Sequence, residues 1–205
     1  MISSGGPLWT PARVDVVELS ADLYRLIAGW GAASPGWVQA LALFLTDALL
    51  LAFIPVAGFV WWRVDRRARA LLAILISGGA AWVLTGPVKD LLKQARPCRA
   101  HPVRTVELCD EVGVWSLPSG HSASAAAFAV TTAVLWRRAA AVVAVVALLE
   151  AFLRVFIGVH YPHDVIAGLL FGALIGTIAA FASKPRGKRP PPPPSPKAAG
   201  ASLVA

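Results

Sequence analysis

Five apolar runs, at residues 37–62, 71–88, 122–136, 139–156 and 164–183, constrain this chain more than any other feature of its sequence. A hydrocarbon layer about 30 Å thick is crossed by roughly 20 helical residues. Within it every backbone N–H and C=O must be paired inside its own segment, so such runs fold as helices. Hydrophobic residues make up 57% of the 205 and charged residues 15%. A soluble domain of this size needs more polar surface than that. The expected fold is therefore an all-α polytopic membrane bundle of about five transmembrane helices. The formal net charge of +8 does not imply a nucleic-acid partner, because the positive residues lie between the apolar runs and in the tail, as membrane topology requires. The expected partners are the bilayer and a lipid within it; nothing in the sequence sets an oligomeric state.

Ahead of the first run, residues 14–30 have helical periodicity, with Val16, Leu19, Leu23 and Trp30 on one side and Asp15, Glu18, Asp22 and Arg25 elsewhere. Four charges are too many for a span, so this segment is predicted to be an amphipathic helix in the membrane interface. An ordinary soluble-type helix packed on a loop is the alternative. Residues 1–14 lack the basic stretch and apolar core of a cleaved signal peptide, and the first span can act as the export signal. One domain is expected over residues 1–183. Residues 184–205, basic and carrying prolines 190–194, form an extended, disordered tail.

If the five spans alternate, Arg63, Arg66, Arg67, Arg69, Arg137, Arg138, Lys184, Arg186, Lys188, Arg189 and Lys197 all fall on one side. The positive-inside rule makes that side cytoplasmic, tail included. Trp61, Trp62 and Trp136 then mark the inner interface, with Trp37 and Trp115 near the outer one. The expected location is the plasma (inner) membrane of a bacterium. The polar loop of about 30 residues after the second span faces outward, a length that usually means function.

Three polar segments collect on that outer face. In the first, Lys89 and Arg96 are seven residues apart, close to two helical turns, so both can grip a phosphate from one face. In the second, Pro118-Ser119-Gly120-His121 opens the third span. A capping serine, a glycine and free helix-start amides make an anion site there, with His121 at its rim to deliver a proton. That span is short, which sinks its start below the surface. The third segment places Arg154 ahead of His160 and Asp164, with Pro162 suited to the first turn of a new helix. Asp164 can accept a hydrogen bond from one ring nitrogen of His160 and leave the other free to attack. The spacing of His160, His163 and Asp164 also permits a metal site. No second acidic cluster completes one for a hard metal, so no metal and no cofactor is expected.

Together these segments, Lys89-x6-Arg96-Pro97, Pro118-Ser119-Gly120-His121 and Arg154-x5-His160-x3-Asp164, resemble the three-part signature of the type 2 phosphatidic acid phosphatase (PAP2) superfamily. The resemblance runs from Lys89 to about Gly168. One position departs: Leu153 stands where the family usually has serine. Glu150, one turn before Arg154, is the expected support for that guanidinium. Asp47 in the first span has no partner that can be named from sequence.

The resemblance implies a metal-independent lipid phosphatase of the membrane branch. His160 would attack the phosphorus, Asp164 would stabilise the imidazolium, and His121 would protonate the leaving oxygen and then activate water. Lys89, Arg96, Arg154, Ser119 and the Gly120 amide would bind the phosphoryl oxygens. The first substrate guess is a polyprenyl diphosphate, followed by phosphatidate or phosphatidylglycerophosphate. A phosphotransferase using a sugar or lipid acceptor is the near alternative; a non-catalytic lipid-phosphate binder or flippase is the distant one. Cys98 and Cys109 flank the loop between the first two motifs and can either form a disulfide or remain two thiols.

Overall fold

The computed structural model describes residues 16–63 and 68–183. The readings made for residues 1–15, for Arg66 and Arg67 and for the tail from Lys184 lie outside them. Among the described residues the regular structure is helical: α1 (Val16–Ala33), α2 (Gly36–Arg63), α3 (Ala68–Leu92), the single turn α4 (Pro97–Ala100), α5 (Gly120–Leu135), α6 (Ala140–Phe156) and α7 (Pro162–Ser183). By length and composition four stretches can cross a membrane: α2, α3 with α4, α6 with the short 3-10 turn before it, and α7. The fifth predicted span is α5. At 16 residues it is about 24 Å long at 1.5 Å per residue, short of the hydrocarbon thickness.

Helix α5 compensates for its length by lying at the centre of the bundle, with most of its side chains buried. Small residues allow this. On α7, Gly168, Gly172 and Gly176 recur every four residues, and each faces α5 backbone at close range. A Cβ on Gly168 would lie 2.5 Å from the Ser119 carbonyl oxygen, and one on Gly176 would lie 2.6 Å from that of Ala127. Gly172 meets the Ala123 carbonyl more closely still. Lipid tails are as apolar as leucine, so helix association in a membrane relies on such contact and on interhelical hydrogen bonds. The hydroxyls supply the latter: Ser124 Oγ donates to the Gly78 carbonyl at 2.7 Å, and Thr131 Oγ1 to the Gly176 carbonyl at 3.1 Å. This seam brings the second and third motifs together, since the Ser119 N–H donates to the Asp164 carbonyl at 3.0 Å.

Helix α1 packs on α6 and α7 through Ser20, Ala21, Tyr24, Ala28 and Gly31. Its apolar side chains Val16, Leu19, Leu23 and Trp30 point away from the protein. An interfacial helix has this arrangement, with apolar residues available to lipid. Its buried face also reaches the third motif, because the Tyr24 hydroxyl donates to the Gly158 carbonyl at 3.1 Å. Tyr24 is fully buried, and burial pushes its phenol pKa up to about 12, so it stays a donor.

Candidate active site

The C-terminal end of α3, the segment 93–119, the N-terminal end of α5 and the α6–α7 junction enclose a cavity of about 470 Å³. Lys89, Arg96, His121, Arg154 and His160 line it, with Gly120, Glu107 and Asp110. Residues from all three motifs thus share one chamber. Pro87, within α3, lacks an N–H and leaves the Val83 carbonyl without the usual helical bond; Val83, Thr85 and Gly86 line the cavity.

His160 is locked on every side. It sits in the five-residue connection after α6, where Gly158 adopts φ +92°, a conformation that suits glycine alone. The N–H groups of Val106 and Glu107 both donate to the Ile157 carbonyl at 3.1 Å, and Arg96 Nη1 donates to the Val159 carbonyl at 3.0 Å. Arg96 Nη1 also lies 3.1 Å from His160 Nε2. A guanidinium can only donate, so Nε2 is the acceptor and carries the lone pair, which leaves the ring proton on Nδ1. Nδ1 faces Asp164 Oδ2 at 3.4 Å. The ring is 1% exposed, and its burial, with Arg96 beside it, pulls its pKa down to about 3 against the bond to Asp164. It is therefore neutral at ordinary pH.

Asp164, in the first turn of α7, is fully buried and amply paired. Its Oδ2 accepts from the Ser116 hydroxyl and from the Tyr161 N–H at 2.9 Å. Its Oδ1 accepts from Gln94 Nε2 at 3.2 Å. Ser116 Oγ also lies 3.5 Å from His160 Nδ1, so it bridges the two. Ser116 lies outside the three motifs, and Gln94 occupies one of the unspecified positions between Lys89 and Arg96. A second layer, His163 against Ser20 at 2.7 Å, ties this corner to α1. No group of three or more His, Cys, Asp or Glu positioned for a metal occurs among the described residues.

Several expectations need correction. Glu150 does not hold Arg154: both of its carboxylate oxygens are buried without a hydrogen-bond partner. Arg154 Nη1 instead has Glu107 Oε2 at 3.6 Å. Four residues of separation put Glu150 one turn away, but the guanidinium extends toward the cavity and the loop carboxylate. Ser119 does not line the cavity; its hydroxyl caps α5 by accepting from the Ser122 N–H at 3.4 Å. Gly120 and His121 present the helix start instead. Pro118 follows a cis peptide bond. Leu153, at the family's serine position, is packed in a core cluster with Ala42, Ile157 and Val159, so no hydroxyl reaches the phosphate from there. Cys98 and Cys109 are joined in a disulfide, with Cα atoms 5.9 Å apart. The bridge fixes the loop carrying Asp110, whose Oδ2 lies 2.7 Å from Arg96 Nη2. Asp47, unassigned from sequence, has Oδ1 3.7 Å from His121 Nε2.

Helices that cross a membrane, three cations and two histidines around one buried chamber define a lipid phosphatase of the bilayer. The chain belongs to the PAP2 superfamily, whose family model matches residues 67–187. It is 32% identical to a lipid A 1-phosphatase of Rhizobium johnstonii over 77% of its own length and 66% of that protein. It is 26% identical to the undecaprenyl-diphosphatase BcrC of Bacillus subtilis, over 68% of this chain and 72% of the relative. The crystal structure of Aquifex aeolicus LpxE superposes with a TM-score of 0.63 at 22% identity, covering 81% of this chain and 97% of that one. The protein hydrolyses a phosphate or diphosphate group on a membrane lipid.

Proposed function

We propose that this protein cleaves the terminal phosphate of a polyprenyl diphosphate by way of a phosphohistidine on His160, on the extracytoplasmic side of the membrane. One observation carries the mechanism: His160 Nε2 is a lone pair aimed into a cavity ringed by Lys89, Arg96 and Arg154. Nε2 attacks the phosphorus in line as the bond to the leaving oxygen breaks. The phosphoryl oxygens take over the Arg96 N–H that Nε2 now accepts. Positive charge appearing on the ring is met by Asp164 through Nδ1. His121 gives the leaving oxygen its proton and takes one back from the water that then breaks the P–N bond. Phosphoryl transfer asks a protein mainly for placement and field, and charge-assisted hydrogen bonds of about 1.5–3 kcal/mol each can supply both.

The sidedness is supported by charge and by sulfur. Arg63, Arg69, Arg137 and Arg138 sit at the helix ends away from the cavity, which is the cytoplasmic pattern. The disulfide lies at the cavity end and suits an oxidising compartment. The substrate is supported by similarity to an undecaprenyl-diphosphatase. A second reading, the 1-phosphate of lipid A, is favoured by the higher identity to a lipid A 1-phosphatase. Purified protein assayed with chelator against undecaprenyl diphosphate, lipid A, phosphatidate and phosphatidylglycerophosphate decides between them. The proposal expects the diphosphate to give the highest kcat/KM. Selective release from lipid A, or release only when an acceptor alcohol is supplied, contradicts it.

A further inference from the structure

We propose that Asp47 is a positioning residue for His121: its carboxylate sets the orientation of the imidazole at the cavity rim so that Nε2 can hand a proton to the leaving oxygen. This rests on the reading of His121 as the general acid. Asp47 lies about three turns into α2, within a helix apolar enough to cross the membrane. Its side chain is 79% exposed, so the protein does not shield it from the bilayer. A carboxylate at that depth is costly and signals function. Its partner is His121, with Oδ1 3.7 Å from Nε2.

The separation is informative. It exceeds a direct hydrogen bond and is short enough for the carboxylate to attract the ring whenever His121 carries the extra proton. Nε2–H is thus steadied without being tied up. Trp82 stands edge-on to the imidazole, 4.7 Å between centroids, and limits its other motions. The remaining charged or titratable groups acting on this ring are Lys89 from α3, Arg96 from the segment after α3, Arg154 from α6 and His160 from the α6–α7 connection. Three of the four are cations, and each disfavours a positive imidazole beside it. Asp47 offsets them. It also acts electrostatically on Arg154 and Glu150, so a test must separate help to His121 from help to phosphate binding.

In the first step the P–O bond breaks as the His160 N–P bond forms, and the Nε2 proton of His121 goes to the departing oxygen. In the second, water breaks the N–P bond and its proton returns to His121. An alkoxide needs that first proton; a p-nitrophenolate does not. Purified Asp47→Asn, Asp47→Glu and His121→Ala should therefore be compared on dodecyl phosphate and p-nitrophenyl phosphate. Proton transfer contributes about 10²–10⁴-fold to such reactions. Asp47→Asn is expected to lose at least about 10-fold in kcat on dodecyl phosphate, with KM changed less than about 3-fold and p-nitrophenyl phosphate turnover changed less than about 3-fold. Asp47→Glu should recover most of the loss. Equal losses on both substrates would mean a structural or phosphate-binding role and overturn the inference. So would no loss on either, while His121→Ala shows the split. If His121→Ala shows no split, the general-acid reading itself falls and the inference falls with it.

Discussion

The two histidines of the chamber are held in opposite ways. His160 is 1% exposed, accepts from Arg96 on one nitrogen and faces Asp164 and Ser116 with the other. Its loop is pinned by Tyr24, Val106 and Glu107. His121 stands at the open end of α5 with one carboxylate at 3.7 Å and the edge of Trp82. The difference suits the tasks proposed for them. A nucleophile must present one lone pair, neutral, in one direction, and any looseness costs alignment. A proton carrier must serve a leaving oxygen and then a water, at two positions, so it needs a favourable field and some freedom.

This contrast can be broken by substitution, and the largest effect belongs to the locked residue. His160→Ala removes the attacking atom, and phosphate release by purified protein should fall by about 10³-fold or more, whatever the leaving group. Retention of more than a tenth of the activity would remove the contrast altogether. His121→Ala should cost about 10²–10⁴-fold on alkyl phosphates, and much less on p-nitrophenyl phosphate, as measured by steady-state kcat. Ser116→Ala sharpens the account of His160. Asp164 would lose one hydrogen-bond donor, worth about 1–3 kcal/mol, which should appear as a fall of roughly 10-fold in kcat with KM little changed.

The smallest effect is on pH dependence. The ring of His160 has its pKa near 3 when folded, against 6.5 in its ordinary state. Between those values the unfolded chain binds a proton that the native site does not. Stability is therefore intact above pH 6.5 and declines as pH falls toward 3. His160→Gln should flatten the pH slope of the unfolding midpoint in detergent by up to about one proton over that window. An unchanged slope would mean the ring is not held neutral. In the same window the His160 ring stays neutral, so on the proposed mechanism an acid limb of kcat/KM above about pH 4 comes from another group or from the substrate.

Much of this arrangement is visible in the sequence, because a membrane punishes polar residues that have no reason to be there. The apolar runs locate the helices, and the spacing of Lys89, Arg96, His121, Arg154, His160 and Asp164 marks the residues that meet. Spacing does not encode the partners that a folded loop supplies. Ser116, Gln94, Glu107 and Asp110 sit in a loop without periodicity, and their partners are set by how that loop folds back over the cavity. Helical spacing puts Glu150 beside Arg154, but a long guanidinium chooses its partner by where its tip lies, and the tip meets Glu107. The Gly168-Gly172-Gly176 ladder carries a legible small-residue signal, although only the structure reveals α5 as its partner. Helix α1 shows the membrane inverting the soluble rule: the stripe of Val16, Leu19, Leu23 and Trp30 faces outward while Tyr24 and Ala28 pack inward.

The central claim is a covalent bond between phosphorus and Nε2 of residue 160. Protein mixed with ³²P-labelled lipid diphosphate and quenched in base within milliseconds should carry label that is stable to alkali and released by acid. Mass spectrometry should place it on the peptide spanning the α6–α7 connection, and His160→Ala should carry none. Rapid phosphate release with no protein-bound label at any quench time, or label on another residue, would contradict the account.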